Sequence, residues 1–165
     1  MPRVSIDFEC VQQLPLTHST VIPEEYLDAM GHMNVMWYTH LFGVSLGGLL
    51  QQFEIPWSKM AERHGGTFAL ETHVRYLSEV RVGQQVQTHA RVLGRTSKRF
   101  HLLHFMTNLD KQDVSASFET ITAYVDLSLR KMAAMPNELT AGLDRLMQSH
   151  DQLDWAAPVC GSMSP

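Results

Sequence analysis

The spacing of hydrophobic residues predicts one long buried helix followed by several strands. Apolar side chains are dense on most sides of residues 35–53, a pattern typical of a helix covered by other parts of the protein. Four strand-like runs follow, at residues 67–77, 85–93, 98–108 and 115–127, and short polar turns separate the last three. Three long strands joined in this way indicate an antiparallel meander. Residues 137–148, after Pro136, form a predicted amphipathic helix.

The chain before the long helix carries weaker signals. Residues 4–8 alternate weakly, which predicts a short edge strand, and the β-prone residues 19–22 run into Pro23. Residues 26–34 are rich in turn-forming and capping side chains. Asn34 is the expected N-cap of the long helix, because a side-chain amide oxygen can accept from the free N–H groups of the first turn.

Three glycines interrupt the long helix at Gly43, Gly47 and Gly48. Each costs about 1 kcal/mol relative to alanine in a helix interior, so we expect another element to approach the helix closely. Gly43 and Gly47 are four residues apart and share a face, which favours them as the point of contact. The alternative is a helix that frays before Gly47.

These elements predict an α+β fold in which a curved antiparallel sheet wraps around one long central helix, with a further helix at the C-terminus. A sheet around a helix buries the apolar face of both, and a glycine-rich helix is thin enough to fit inside it. The length of 165 residues fits one domain, which we assign to residues 1–150. Residues 151–165 lack periodicity and form a predicted irregular tail.

Composition narrows the functional classes. Charged residues make up 18% of the chain, below the roughly 25% of an average domain, which indicates surface covered by a partner subunit. A net charge of -4 and a pI near 6.1 argue against nucleic acid as a partner. The most apolar run, residues 41–50, is shorter than the roughly 20 residues of a membrane span, and the N-terminus lacks a signal-peptide core. We therefore expect a cytoplasmic protein that does not bind membranes.

Neither the cysteines nor the histidines form a metal-binding pattern. Cys10 and Cys160 lie far apart without CxxC spacing, so idle thiols are expected in a reducing cytosol, with a disulfide as the alternative. His101 and His104 are three apart in a predicted strand and therefore point to opposite faces. We expect no bound metal.

One segment resembles a known family. The pattern D-x-x-G-H-x-N over residues 28–34, preceded by residues 21–24 and followed by Tyr38, resembles the hot-dog-fold acyl-CoA thioesterases of the 4-hydroxybenzoyl-CoA thioesterase type. Residues 71–80 and 98–101 resemble its betainyl-CoA thioesterase-like branch of carnitine degradation. The resemblance implies hydrolysis of a small acyl-CoA thioester, CoA being part of the substrate and no cofactor being needed. It also implies a homodimer joined edge to edge with a shared active site, and dimers that can pair into a homotetramer.

The same resemblance assigns catalytic roles around the start of the helix. Asp28 takes the role of the catalytic carboxylate, either as nucleophile or as general base. The backbone N–H of Val35 is the expected oxyanion donor, because first-turn N–H groups have no partner within the helix. Gly31 lets the loop approach the thioester. His32 orients Asp28 or contacts the substrate, with a structural role as the alternative, and Asn34 is a cap with a possible catalytic role.

Substrate contacts are expected from aromatic and charged side chains. Trp37, Tyr38 or Trp57 could provide a cation–π surface for a quaternary ammonium acyl group. Glu71 and His73 share one face of a strand, where Glu71 is either a counter-charge, a second catalytic acid or an ordinary salt-bridge partner. Arg99, with Arg95 and Lys98, could meet the CoA phosphates or form a solvated turn. Glu119 is a further candidate without a predicted position.

Two alternative functions stay open. The first is a thioesterase for fatty or aromatic acyl-CoA, which would need an apolar channel instead of aromatic and anionic walls. The second is a non-catalytic protein that binds acyl-CoA or an acyl carrier. The intact Asp28, Gly31 and Asn34 argue against the second alternative.

Overall fold

The structure, a computed structural model, describes residues 6–165. Six antiparallel strands form one sheet in the order β1-β3-β4-β5-β2, and the short β6 pairs with β5. The helices are α1 (Phe8–Gln12), α2 (Val35–Gln52), α3 (Trp57–Glu62) and α4 (Asn137–His150), with one 3-10 turn at Glu24–Tyr26. The strands are β1 (Leu16–Val21), β2 (Gly65–Tyr76), β3 (Gln85–Arg95), β4 (Arg99–Asn108), β5 (Asp113–Asp126) and β6 (Lys131–Met132).

The predicted elements after residue 30 are all present. The long helix, the four strands, the β3-β4-β5 meander and the C-terminal helix lie within a few residues of their predicted bounds. The residues around 19–22 form β1, which starts earlier, at Leu16, and pairs with β3. The predicted edge strand is wrong at Phe8, where α1 begins because the Asp7 carboxylate accepts from the Glu9 N–H and caps a helix. Residues 4 and 5 lie outside the described residues.

The inner face of the sheet packs against α2. At the N-terminal half of α2, Tyr38, Leu41 and Phe42 belong to one buried cluster with sheet residues such as Met106. At its C-terminal half, Leu49, Leu50 and Phe53 belong to another, which also contains side chains of β3, β4 and α4. The sheet therefore wraps the helix as predicted.

The close approach between helix and sheet occurs at Gly48. A Cβ at Gly48 would lie 1.9 Å from the carbonyl oxygen of Thr17 in β1, so no side chain fits there. A Cβ at Gly47 would lie 2.8 Å from Nε1 of Trp57. A Cβ at Gly43 would meet nothing within 4 Å, so the prediction that Gly43 is a contact point is wrong. The reason is that β1 crosses the helix near its C-terminal half.

A buried polar chain joins α2 to three strands. Ser45 Oγ lies 2.8 Å from His104 Nδ1 in β4 and 2.7 Å from Thr17 Oγ1 in β1. Thr17 Oγ1 in turn donates to the Thr88 carbonyl of β3 at 2.8 Å. Burial lowers the pKa of His104 to about 4, so its imidazole is neutral at physiological pH.

The outer face of the sheet is covered by α1 and by the C-terminal tail. Residues 151–165 contain no helix or strand, yet Trp155 joins a buried cluster with Phe105. Arg91 donates to the Trp155 carbonyl at 3.0 Å and lies 4.3 Å from the centroid of its ring. Arg75 donates to the Pro158 carbonyl at 2.6 Å. The irregular tail is thus an ordered part of the structure, and both cysteines are free thiols.

The strand β2 lies at an edge of the sheet and exposes apolar side chains. Phe68, Leu70 and Tyr76 are exposed, and among the described strands only β5 pairs with β2. The pairing shifts register between Ala69 and Glu71, which marks a β-bulge at Leu70. A long apolar edge of this kind is normally covered in a soluble protein.

Candidate active site

A tight turn places Asp28 just before α2. The Asp28 N–H donates to the His32 carbonyl at 2.9 Å, and the Gly31 N–H donates to the Asp28 carbonyl at 3.2 Å. Gly31 has a φ of 82°, a left-handed conformation that favours glycine. Gly31 therefore closes the turn, while its predicted approach to the thioester stays a prediction.

The Asp28 carboxylate is held by the backbone of its own loop. Its Oδ1 accepts from the Met30 N–H at 2.8 Å and from the His32 N–H at 3.2 Å. These hydrogen bonds, with Met30 first, lower the pKa of Asp28 below its usual value. The carboxylate is therefore ionised at neutral pH. Within residues 6–165, no hydrogen bond occupies its Oδ2.

The first turn of α2 leaves one N–H group free beside this loop. Asn34 caps the helix as predicted, with its Oδ1 accepting from the Met36 N–H at 3.0 Å. The Asn34 N–H itself donates to the Tyr26 carbonyl at 2.8 Å, and its side chain is engaged as a cap. Among the described residues, no acceptor forms a hydrogen bond with the Val35 N–H. Val35 is thus the first-turn residue able to bind an oxyanion.

Asp28 and Val35 line the same cavity, which we call the Asp28 pocket. Its volume is about 380 Å³. The structure thereby brings together four of the predicted residues, Asp28, His32, Val35 and Tyr38, although Tyr38 is also a buried core residue. The remaining lining residues are Met33, Tyr76, Leu77, Ser78 and Glu79.

Glu79 is a pocket residue that sequence reasoning did not single out. His32 Nε2 lies 2.8 Å from Glu79 Oε2, and Arg81 Nη2 lies 2.8 Å from Glu79 Oε1. The loop after β2 carries Glu79 and reaches the Asp28 loop because the Met33 N–H donates to the Val80 carbonyl at 2.8 Å. In the sequence, the block 71–80 stands out only for its family resemblance. No spacing pattern connects Glu79 with a histidine 47 residues earlier, so the sequence does not pair the two.

A second cavity, which we call the inner cavity, lies between α2 and the β2–β5 side of the sheet. Its volume is about 300 Å³. On α2 it begins at Thr39, one residue after Tyr38, and continues through Gly43 to Leu46, so both cavities open along neighbouring parts of the helix. The other lining residues are Phe42, Trp57, Thr67, Ala69, His104, Phe118, Thr120 and Thr122. The wall is therefore aromatic and polar without a carboxylate.

Glu71 and His73 do not reach either cavity within one chain. After the bulge at Leu70, Glu71 pairs with Ile121 and His73 pairs with Glu119. Glu119 points to the outer face, where its Oε1 lies 2.9 Å from His101 Nε2 and its Oε2 accepts from the Cys160 N–H at 2.6 Å. The candidate Glu119 is therefore part of the tail contact, and residues Glu71 and His73 lie on the same outer side.

Two further predicted contacts lie elsewhere in the chain. Trp37 stacks on Tyr26 with ring centroids 3.8 Å apart and does not line the Asp28 pocket. Arg99 lies at the start of β4, at the opposite end of the sheet from Tyr76. Its neighbour Arg95 is held by both carboxylate oxygens of Asp144 at 2.6 Å. Within one chain, therefore, this hairpin does not contact the pocket.

The arrangement of the described residues also bears on metal binding and on membrane-spanning helices. No group of three or more histidine, cysteine, aspartate or glutamate side chains in residues 6–165 is arranged to hold a metal ion. Among the helices that the structure describes, none combines the length and apolar character needed to cross a bilayer.

Two curated relatives are similar to this chain in sequence. The L-carnitine dehydrogenase/betainyl-CoA thioesterase of Rhizobium meliloti is 29% identical over 135 residues, which are 82% of this chain and 27% of that protein. The betainyl-CoA thioesterase of Pseudomonas aeruginosa is 24% identical over 143 residues, 87% of this chain and 90% of the relative. The chain thus spans about a quarter of the length of the first relative and most of the second.

Comparison with solved structures and with family models identifies the fold and the family. A Staphylococcus aureus protein solved in complex with CoA superposes with a TM-score of 0.80 at 18% identity, covering 92% of this chain and 96% of that one. This likeness confirms the hot-dog fold. The family model described as the Thioesterase-like superfamily matches residues 21–143. Since this match covers more than half of the chain, including the Asp28 loop, α2 and strands β2 to β6, the chain belongs to the thioesterase-like superfamily.

Proposed function

We propose that the protein hydrolyses an acyl-CoA thioester to a free acid and CoA. The observation that carries this proposal is the Asp28 pocket, which is lined both by an ionised carboxylate and by the residue with the free N–H at the start of α2. Hydrolysis of a thioester needs a group that attacks or activates water and a donor for the oxyanion. Membership of a thioesterase-like family supports the same reaction.

The geometry suggests how the carbonyl is bound. The thioester oxygen accepts from the Val35 N–H, where the positive end of the α2 dipole adds to the polarisation. Asp28 Oδ2, the oxygen without a backbone partner, then attacks the carbonyl carbon or activates a water. Its lowered pKa keeps it charged at neutral pH, so a carboxylate oxygen is available beside the carbonyl carbon.

The acyl group is proposed to extend along α2 from the Asp28 pocket into the inner cavity. Phe42, Phe118 and Trp57 line that cavity and provide rings for a cation–π contact, so a betainyl group is a reasonable occupant. Both curated relatives described above are named for betainyl-CoA. The cavity has four threonines and the neutral His104 but no carboxylate, which favours a small neutral polar or aromatic acyl group as the second candidate.

A homodimer paired through β2 is also part of the proposal. Its exposed residues Phe68, Leu70 and Tyr76 supply apolar area at an unpaired sheet edge. Antiparallel pairing of two β2 strands would bring the Gly65 end of one sheet beside the Tyr76 end of its partner. In that dimer, Glu71 and Arg99 would contribute to the site of the partner subunit. We therefore propose their substrate-binding roles for the dimer and not for a single chain.

The experiment is a thioester-cleavage screen with short, branched, aromatic, fatty and betainyl CoA esters, in which release of the CoA thiol is measured. We expect turnover of betainyl-CoA or of a small polar ester, and much slower turnover of long fatty esters. Fastest turnover of fatty esters would contradict the proposed acyl pocket. Tight binding of acyl-CoA without turnover of any ester would indicate a non-catalytic binding protein instead.

A further inference from the structure

We propose that His32 accepts the proton of the water that hydrolyses the thioester, and that Glu79 is the positioning residue that fixes its imidazole. The proposal rests on the proposed function, since it assigns a further role in the same pocket. His32 and Glu79 both line the Asp28 pocket. Glu79 belongs to the loop that follows β2, outside the motif at the start of α2.

The contact between the two side chains fixes which ring nitrogen is free. Glu79 Oε2 lies 2.8 Å from His32 Nε2, and Arg81 lies 2.8 Å from the other Glu79 oxygen. A carboxylate paired with arginine accepts hydrogen bonds, so Nε2 carries the hydrogen that it donates. In the neutral imidazole, Nδ1 is then left as an acceptor. Among the described residues, no group forms a hydrogen bond with His32 Nδ1.

The Asp28 loop holds the carboxylate in its charged form. Its Oδ1 already accepts two backbone N–H bonds, at 2.8 and 3.2 Å, which stabilise the charged form. A carboxylate stabilised in this way takes up a proton less readily, as its lowered pKa indicates. The imidazole of His32, held through Nε2 by Glu79 in the same pocket, presents Nδ1 as the alternative acceptor, and histidine is the side chain that most often acts as a general base.

The proton can be followed through the whole step. The water oxygen forms a bond to the acyl carbon, and its proton moves to His32 Nδ1, which gives an imidazolium held by Glu79. The oxyanion that forms accepts from the Val35 N–H. When the carbon–sulfur bond breaks, the imidazolium returns the proton to the CoA sulfur, so the products are a carboxylic acid and the CoA thiol. If Asp28 attacks first, CoA leaves as the thiolate when the acyl-Asp28 anhydride forms. Water then attacks the anhydride and gives its proton to His32 Nδ1, the acid is released as the Asp28 carboxylate re-forms, and the imidazolium passes the proton to the CoA thiolate.

The exposure of the pair argues against a purely structural role. The His32 and Glu79 side chains are 39% and 41% exposed, and an ion pair that faces solvent adds little to stability. The other ionisable groups around the pair are Asp28, Arg81, Lys111 and the pocket tyrosines. Lys111 donates to the backbone carbonyl of Glu79. We therefore assign the solvent-facing pair beside Asp28 to the reaction and not to the stability of the fold.

The test uses the full chain and the best ester from the screen. We expect His32→Ala to lower kcat at least about a hundredfold, and Glu79→Gln to lower kcat about tenfold with little change in KM. Glu79→Asp should restore part of kcat. Added imidazole should restore activity to His32→Ala in proportion to its unprotonated fraction.

Controls separate this role from folding and from the proposed function. Glu25→Gln changes an exposed carboxylate outside the pocket and should leave kcat unchanged. Thermal unfolding of Glu79→Gln should match the wild type. An active wild type whose kcat is unaffected by Glu79→Gln would overturn the inference alone. A wild type without turnover on any ester would overturn the proposed function, and the inference with it.

Discussion

Two histidine–glutamate pairs of nearly equal length lie on opposite faces of the sheet. His32 and Glu79 meet at 2.8 Å at the Asp28 pocket, and His101 and Glu119 meet at 2.9 Å beneath the C-terminal tail. The first pair is about 40% exposed, whereas Glu119 is fully buried and His101 is 8% exposed. The chemistry of the two contacts is the same, and only the surroundings differ.

The difference shows that environment determines what such a pair does. In solvent, the attraction between two charges contributes little to stability, but the side chains stay free to exchange protons with a substrate. In the interior, each group loses its hydration and depends on its partners, so the loss of one partner leaves an uncompensated polar group. We therefore expect mutations at Glu119 to affect folding and mutations at the pocket to affect turnover.

The largest expected effect is on stability, at the buried pair. Glu119→Ala removes the partner of both His101 and the Cys160 N–H and should lower the free energy of unfolding by about 3–5 kcal/mol. Urea unfolding followed by tryptophan fluorescence measures this loss. Glu119→Gln keeps acceptor oxygen and should lose less. Full stability together with reduced turnover would reverse the roles that we assign to the two faces.

The next effect is on turnover, at the exposed face. Asp28→Asn keeps an oxygen that accepts from the Met30 and His32 N–H groups but removes the charge, so turnover should fall at least about a hundredfold. The unfolding midpoint should stay near that of the wild type. Steady-state thiol release measures the change, with Glu25→Gln as the matched control. Near-normal turnover of Asp28→Asn would refute the proposed catalytic role of Asp28.

A smaller effect concerns the buried His104 of the inner face. Its pKa is about 4 in the folded chain and near 6.5 when unfolded, so between these values the unfolded state binds more protons. The free energy of unfolding should therefore fall as pH drops from 6.5 to 4, by about 3 kcal/mol at roughly 1.4 kcal/mol per pKa unit. Urea titrations across this range should show the loss in the wild type. The loss should be reduced in His104→Asn, and an equal slope in both would contradict a buried neutral His104.

The sequence pattern was sufficient for α2, α4 and the long strands, but it missed α1 and α3 and did not reveal all of the contacts between elements. Dense apolar residues and clear alternation identified α2 and the strands, because those signals are local. The D-x-x-G-H-x-N spacing likewise located Asp28, Val35 and the Asn34 cap, since all three depend on neighbours within one turn or loop. What could not be inferred was where β1 crosses α2, and this crossing makes Gly48 the close contact instead of Gly43.

One inserted residue explains why Glu71 and His73 do not line a cavity within one chain. Simple alternation correctly placed Glu71 and His73 on one side of β2, but it could not tell which side faces α2. The bulge at Leu70 switches which alternate residues face α2 between the two halves of the strand. Ala69 and Tyr76 therefore line cavities, while Glu71 and His73 face outward. Glu79 was missed for a related reason, because its contact with His32 joins two loops that are distant in sequence.

The C-terminal tail has a consequence for the length of any recombinant fragment. The match to the family ends at residue 143, and the last helix ends at His150, so either point looks like a natural place to stop the chain. A fragment that ended there would lack the Cys160 N–H that binds Glu119 and the Trp155 ring that covers Phe105. Such a fragment would keep every residue of the Asp28 pocket. It would nevertheless expose the Glu119 side chain and an apolar face of the sheet to solvent. Solubility, rather than catalysis, would be the first property to suffer.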